Sequence, residues 1–344
     1  MNIILCEYAE GKKYNAGNKA RTDALHIALS KGYKHVPLFR NGTSKLLIPF
    51  QLLRGIINTI CRAKKGDKVF IQYPYYPYII NRILFSMLNL GRKLKGFETI
   101  VLIHDIINLR KENIEPIEQN QLLTEELQTL DNNCDTIICH NAKMKDLFVR
   151  ICGKKDKFVI LGPFDYIYHE KAISTNCDMN DVKIIIAGNL SKNKCGYLYK
   201  LPQTKGVSYN LYGLGYEGVE NDYIHYKGAF PPDELIQHLE GNFGLVWDGE
   251  DVDSCTGATG NYLRYNNPHK FSLYIAAGLP LIVWKESALA DYVKEKGIGI
   301  CLNSLNELDI ISKNLDKKQY DTILHNIFNL RKEIINGEHL RSCL

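Results

Sequence analysis

The chain of 344 residues contains no apolar run approaching the roughly 20 residues that a membrane-spanning helix needs, so no spanning helix is expected. Its opening, MNIILCEY, lacks the charged stretch and longer apolar core of a secretory signal peptide and reads as a short strand. The ten cysteines form no C-x-x-C pair and no Cys/His ligand spacing, so neither a zinc site nor a disulfide framework is expected. Cys6, Cys139 and Cys301 sit inside apolar strand-like runs and read as buried reduced thiols. No G-x-G-x-x-G follows the first strand, where EYAEGKKYNAGNK stands; a nicotinamide-dependent oxidoreductase or sugar epimerase thereby loses its main signature. With no repeat and no recognisable nucleic-acid module, nucleic acid is not an expected partner. These absences leave a cytoplasmic protein as the expectation.

What is present is globular: 45% hydrophobic and 24% charged residues, and a length that suits two domains of about 150 to 180 residues. Charge is uneven. Residues 1–165 hold 25 Lys+Arg against 16 Asp+Glu, and residues 166–344 hold 18 against 22. The basic half suggests an anionic partner such as a membrane surface or a lipid-linked phosphate, the plainer alternative being a solvated basic face.

Short apolar strands alternate with amphipathic helices, the pattern of parallel sheets covered on both faces. Strands are expected at NIILCEY, DKVFIQYP, TIVLIHD, DTIICHN and KFVIL in the first half. In the second they are expected at VKIIIAGNL, VSYNLYGL, IHYKGAF, FGLVWD, LPLIVW and GIGICL. The predicted organisation is an α/β, doubly wound domain at 1–165, a second at 166–318, and a helical tail at 319–344 packing back toward the first. Two segments, IPFQLLRGIINTICRAKKGDK and YIINRILFSMLNLGRKLKG, mix helical apolar spacing with terminal Lys and Arg. That is a peripheral-membrane signature, although helices that only cover a sheet carry the same spacing. The oligomeric state is open, and a homo-oligomer is compatible with the chain.

In open α/β sheets ligands gather at the carboxyl ends of strands. After the first strand, Asn15, Lys19 and Arg21 are candidates to hold an acceptor or a phosphate, a surface loop being the alternative. The second strand ends at Gln72, followed by tyrosines that suit either a sugar platform or packing. The third runs out at His104 and Asp105, either of which fits a general base, while Asp105 also fits a helix cap. His140 and Asn141 end the fourth, with Asn141 suited to an N-cap.

In the second half, Gly188, Asn189, Ser191 and Lys192 follow a fully apolar strand, where backbone and side-chain donors could surround a phosphate. Tyr212 ends the next strand and offers a ring to a nucleobase. The stretch from Phe243 to Val283 reads as strand, polar loop, helix and strand. Its loop carries Asp248, Glu250, Asp251 and Asp253, carboxylates that could grip sugar hydroxyls. At NNPHK, Asn267 suits the N-cap, Pro268 the first helical position and Lys270 the first turn. A cation opposes the helix dipole there by up to roughly 1 kcal/mol, and an anion seated against both removes the conflict. A phosphate or diphosphate is therefore expected at this helix.

Five motifs carry a resemblance that spans the chain: GNKARTDALHIA at 17–28, LIHDI at 102–106, AGNLSKNKC at 187–195, FGLVWDGEDVDSCTG at 243–257 and GNYLRYNNPHKFSLYIAAGLPLIVW at 260–284. The sequence resembles bacterial GT-B glycosyltransferases, in particular the β-1,6-galactofuranosyltransferases of O-antigen assembly and, more distantly, the streptococcal glucosyltransferases that extend glycosylated adhesins. The resemblance implies two Rossmann-like domains with a cleft between them, a UDP-sugar donor in the C-terminal one, a glycan acceptor at the cleft, lipid-linked in polysaccharide synthesis, and no metal or other cofactor. It also implies that Lys270 and the Gly188–Lys192 loop contact the diphosphate, with Tyr212 near the uridine. If an α-linked UDP-galactofuranose yields a β product, the reaction inverts and needs a base, for which His104 and Asp105 are the candidates. A glucosyl or N-acetylglucosaminyl donor with a glycoprotein acceptor is the alternative.

Overall fold

The computed structural model describes residues 1–8, 16–40, 47–76, 78–111, 117–153, 156–173, 178 and 180–344. Contacts between residues divide the chain into two units, Met1–Lys12, Ala20–Gly162 and His339–Leu344 in one, Lys13–Lys19 and Pro163–Glu338 in the other.

The first unit is built from β1 (Ile3–Tyr8), α1 (Ala16–Ser30), β2 (Lys34–Arg40), α2 (Ile48–Arg62), β3 (Lys68–Tyr73), α3 (Ile79–Lys95), β4 (Glu98–Ile103), α4 (Gln121–Asn133), β5 (Thr136–Cys139), α5 (Ala142–Cys152) and β6 (Phe158–Ile160). Its sheet has the order β2-β1-β3-β4-β5-β6, and every pairing is parallel. Ile3, Leu5, Val69, Ile71, Val101 and Ile137 are fully buried, as strands covered on both faces require. One strand escapes the sequence pattern: KHVPLFR contains Pro37, which lacks a ladder donor. The structure puts it on β2, the edge strand among the described residues, paired with β1, where a proline is tolerated. On one face the helices stand side by side, α2 against α3, α3 against α4 and α4 against α5.

The second unit contains β7 (Val182–Ala187), β8 (Val207–Tyr212), β9 (Ile224–Gly228), α6 (Pro232–His238), β10 (Phe243–Val246), α7 (Gly257–Tyr262), α8 (His269–Ala277), β11 (Leu281–Trp284), α9 (Ala290–Lys296), β12 (Gly299–Leu302), α10 (Asp309–Asn314) and α11 (Lys317–Asn336). The sheet order β12-β11-β10-β7-β8-β9 is that of a Rossmann fold, with the strand order reversing between the parallel neighbours β7 and β10. A final helix, α12 (Glu338–Cys343), ends the chain.

The crossing to the second unit comes at Pro163, close to the boundary expected at 166. The return comes later than 319. Helix α11 packs on α8, with Ile327, Leu330 and Ile334 in the core of the second unit, and only His339–Leu344 fall with the first. The apolar face of α11 is thus spent on α8, and of the tail expected at 319–344 to pack back toward the first domain, the last six residues group with the first unit. Among the described residues no helix is long and apolar enough to cross a membrane. The nine described cysteines are free thiols, and burial pushes those of Cys6 and Cys139 up to about 12.

Candidate active site

In the second unit the candidate residues gather where β7, β8 and β10 end and α8 begins. The N–H of Ala187, last in β7, donates to the Tyr274 hydroxyl at 2.8 Å, so α8 is tied to the strand end. The chain then turns at Gly188, with φ of +133° and open space where a Cβ would stand. The neighbouring turn after β8 comes so close that a Cβ on Gly213 would lie 1.7 Å from the Gly188 carbonyl oxygen. Only glycine permits that approach. Exposed Asn189 folds back to accept the Ser191 N–H at 2.9 Å, an Asx turn. Lys192 is exposed, its amine 5.5 Å from the centre of the Tyr199 ring. The loop after β10 meets the loop after β7 as well, Gly249 donating to the Lys194 carbonyl at 3.0 Å.

Beneath these loops lies a buried ion pair. The Lys270 amine donates to the Trp247 carbonyl at 2.8 Å and to Asp248 Oδ1 at 2.9 Å, and Asp248 is only 5% exposed. Burial alone would raise the Asp248 carboxyl, but the charges of Lys194 and Lys270 with the hydrogen bonds from Lys270 and Cys195 outweigh it and hold it below the usual range. Burial likewise pulls the Lys270 amine down, yet the field of Asp248 leaves it above its ordinary value. Both groups stay charged through the neutral range.

The helix start differs from the sequence expectation. Pro268, with φ −69° and ψ 140°, occupies the N-cap, α8 begins at His269, and no side chain caps it. Asn267 is buried one residue earlier. The fixed φ of proline fits the extended cap as well as the first helical turn, so the helix starts one residue later than expected. Lys270 remains in the first turn, but its charge is met by Asp248 rather than left open. Tyr212 also departs from expectation. It is 1% exposed, its ring packs against Phe230 and its hydroxyl accepts the Glu240 N–H at 2.9 Å. β8 is covered on both faces, and a side chain at its end turns into the helix layer instead of offering a face to a nucleobase. The carboxylates foreseen as sugar grips are used internally in part: Asp251 pairs with Lys200 at 3.1 Å, and Asp253 accepts from Ser304 and Asn306.

Three residues here escaped the sequence reading. Lys194 and Cys195 face Asp248, and both lie in a motif already singled out. His269, beside Lys270, has its ring 5.1 Å from that of Tyr166. Burial, then the charge of Lys19, lowers it to about 4 against a hydrogen bond with the Asp165 backbone, so it is neutral at neutral pH. Among the described residues its Nε2 is enclosed without a hydrogen-bond partner. Asp165 and Tyr166 stand about a hundred residues upstream and Lys19 far beyond them, out of reach of any local pattern.

Of the expected acceptor residues, Asn15 lies outside the described residues. Lys19 is buried, donating to the Ile167 carbonyl at 2.8 Å and pairing with Asp233 at 3.0 Å. Arg21 donates to the Pro74 carbonyl and covers the Tyr75 ring. Gln72, also buried, donates from Nε2 to the Arg21 carbonyl at 3.1 Å and meets His104 Nε2 through Oε1 at 2.7 Å. Since that oxygen can only accept, His104 Nε2 is the donor of this hydrogen bond. Asp105 pairs with Arg110 at 2.7 Å. His140 is fully buried, bonded to the Ile103 carbonyl, and lowered to about 4 by burial. Asn141 caps α5 by accepting the Met144 N–H, the role its position suggested. Below the His104–Asp105 turn, buried Glu126 accepts from the Tyr73 hydroxyl and from the N–H groups of Ile107 and Asn108 at 2.6–2.8 Å. It fixes the turn's backbone. Among the described residues no group of three or more His, Cys, Asp or Glu could hold a metal ion.

Residues 1–163 match the family model of the glucosyltransferase 3-like N-terminal domain, and residues 184–344 that of the glucosyltransferase 3-like C-terminal domain. The chain is similar to the β-1,6-galactofuranosyltransferase WbbI of Escherichia coli (strain K12), 30% identical over 342 residues that cover 96% of this chain and 93% of that protein. It is also similar to Glucosyltransferase 3 of Streptococcus gordonii, 23% identical over 80% of this chain and 78% of that one. Among solved structures it is similar to Anabaena HepE in complex with UDP, with a TM-score of 0.61 at 12% identity, covering 100% of this chain and 98% of that one. The paired Rossmann-like units are the GT-B fold.

Proposed function

We propose, because this chain belongs to the glucosyltransferase 3-like family of glycosyltransferases, that it moves galactofuranose from UDP-galactofuranose to a glycan acceptor, lipid-linked, in cell-surface polysaccharide synthesis at the cytoplasmic side of the membrane. The observation that carries the choice of sugar is the 30% identity to a β-1,6-galactofuranosyltransferase across 96% of the chain. UDP, the nucleotide held by HepE, is taken as the leaving group.

The diphosphate would lie over the loop Gly188–Lys192 and the uncapped start of α8, whose N–H groups and dipole favour an anion. An ammonium group has three N–H donors. Lys270 uses two on Trp247 and Asp248, which leaves one for a phosphate oxygen. Asp248 then acts as the partner that holds Lys270 in place, not as a ligand to the anion. Lys192 and Lys194 add positive charge, and together these groups would stabilise the departing diphosphate as it gains charge, without requiring a metal ion. His269 Nε2 would accept a hydrogen bond from a donor-sugar hydroxyl.

For an inverting transfer a base must take the proton of the acceptor hydroxyl. Of the two candidates we favour His104, because Gln72 orients its ring through Nε2 whereas the Asp105 carboxylate is ion-paired with Arg110. The test is a donor panel, UDP-galactofuranose, UDP-galactopyranose, UDP-glucose and UDP-N-acetylglucosamine, with mass and linkage analysis of the product in chelator. Transfer from UDP-galactofuranose with an inverted anomeric centre is the expected outcome. Transfer from UDP-glucose alone to a glycopeptide would instead favour the second reading, which the similarity to Glucosyltransferase 3 supports.

A further inference from the structure

We infer that the outer face formed by α2 and α3 docks on an anionic phospholipid surface. The two helices pack against each other, so closely that a Cβ on Gly91 would meet the Ile60 side chain at 2.6 Å. Their inner residues, Leu52, Ile56, Leu84 and Leu88, are buried. The core is therefore already served, yet the outer faces are apolar too. Phe50, Leu53 and Ile57 recur at helical spacing on α2, and Ile79, Ile83, Leu90 and Leu94 on α3; all seven are exposed, Phe50 by 72% and Leu94 by 75%. Residues three, four and seven apart share one side of a helix, so these form two neighbouring apolar stripes.

Cations stand within the same stripes: exposed Arg54 on α2, and Arg82 and Lys93 on α3. Neither helix contains a single Asp or Glu. Between Leu47 and Lys95 the sequence holds nine Lys and Arg against one carboxylate, Asp67. A solvated helix normally mixes both signs, and a protein interface is depleted of charge at its centre. Apolar side chains interspersed with charge of one sign fit a leaflet with acyl chains below and negative headgroups above. Each helix would lie along the interface, and neither would cross it. The inference is independent of the donor sugar.

Co-sedimentation of the full chain with vesicles tests it. Binding to phosphatidylcholine vesicles containing phosphatidylglycerol is expected to exceed binding to pure phosphatidylcholine at least tenfold and to weaken as salt is raised. The double variant Phe50→Ser/Leu94→Ser should reduce binding about tenfold, and Arg54→Gln/Lys93→Gln should reduce it mainly for the anionic vesicles. All these residues are exposed, so both variants should keep the parent's melting temperature and its calorimetric affinity for UDP, which separates this proposal from the site argued above. Absence of vesicle binding, binding untouched by either variant, or a dimer in light scattering that the serine variant dissolves would each overturn it.

Discussion

At the strand ends of the second sheet a full positive and a full negative charge, Lys270 and Asp248, are buried side by side. At the strand ends of the first, the half-buried ring of His104 is met by the neutral amide of Gln72, and Glu126, buried nearby, is turned toward backbone and hydroxyl donors. Burying an ion pair costs desolvation that mutual attraction only partly offsets. A site that keeps such a pair at an uncapped helix start suits a ligand bearing charge of its own. A histidine held through one ring nitrogen by an amide suits a ligand that gives up a proton. The division agrees with the proposal of a diphosphate bound by the second unit and a hydroxyl activated by the first.

The sharpest way to break that comparison is Lys270→Met. It leaves Asp248 buried without its nearest cation, and breaking a buried pair from one side costs roughly 3–5 kcal/mol. Denaturant unfolding should show that loss and calorimetry should show no UDP binding. Adding Asp248→Asn should return most of the stability and none of the binding. If the single variant unfolds and binds like the parent, the buried pair has no part in either property.

A smaller effect concerns the buried histidines, His140 in the first unit and His269 in the second, both lowered to about 4. Unfolded, each would titrate near 6.5. Between those values the unfolded chain binds the extra proton, so stability is fully present above pH 6.5 and is lost as the pH falls toward 4. For fully buried His140 the loss is roughly 3 kcal/mol. Hydrogen exchange followed separately in the two units should show the slope in both, and His140→Gln should flatten it only in the first. The smallest effect is expected of Tyr212→Phe, which removes one hydrogen bond worth about 1 kcal/mol. UDP affinity should not change; a large fall would mean that the ring reaches the ligand after all.

The alternation of strands and helices was legible because strands covered on both faces are apolar throughout, as VKIIIA and LIVW are. The strand holding Pro37 was not, since its tolerance depends on standing at a sheet edge, a fact of topology. Lys270 could be assigned to a helix's first turn from its neighbours alone. Its partner could not, because Asp248 is 22 residues away and only the closing of β10 on α8 brings them together. Tyr212 shows the same limit in reverse: a strand-end position was evident, but whether its ring faced a ligand or Phe230 depended on a helix packed from elsewhere. The apolar and basic spacing of α2 and α3 was visible at once, whereas which apolar residues remained uncovered required the fold.

The contact between Gly213 and the Gly188 carbonyl carries a lesson for altering donor choice. Two loops from adjacent strands meet there with no room for even a methyl group, so they can shift only as a unit. A programme of substitutions aimed at new sugars would gain nothing from Gly213, where any side chain forces the pair apart. It would draw its variety from Ser191 and Lys192 and leave Asn189, whose side chain closes the turn on the Ser191 N–H.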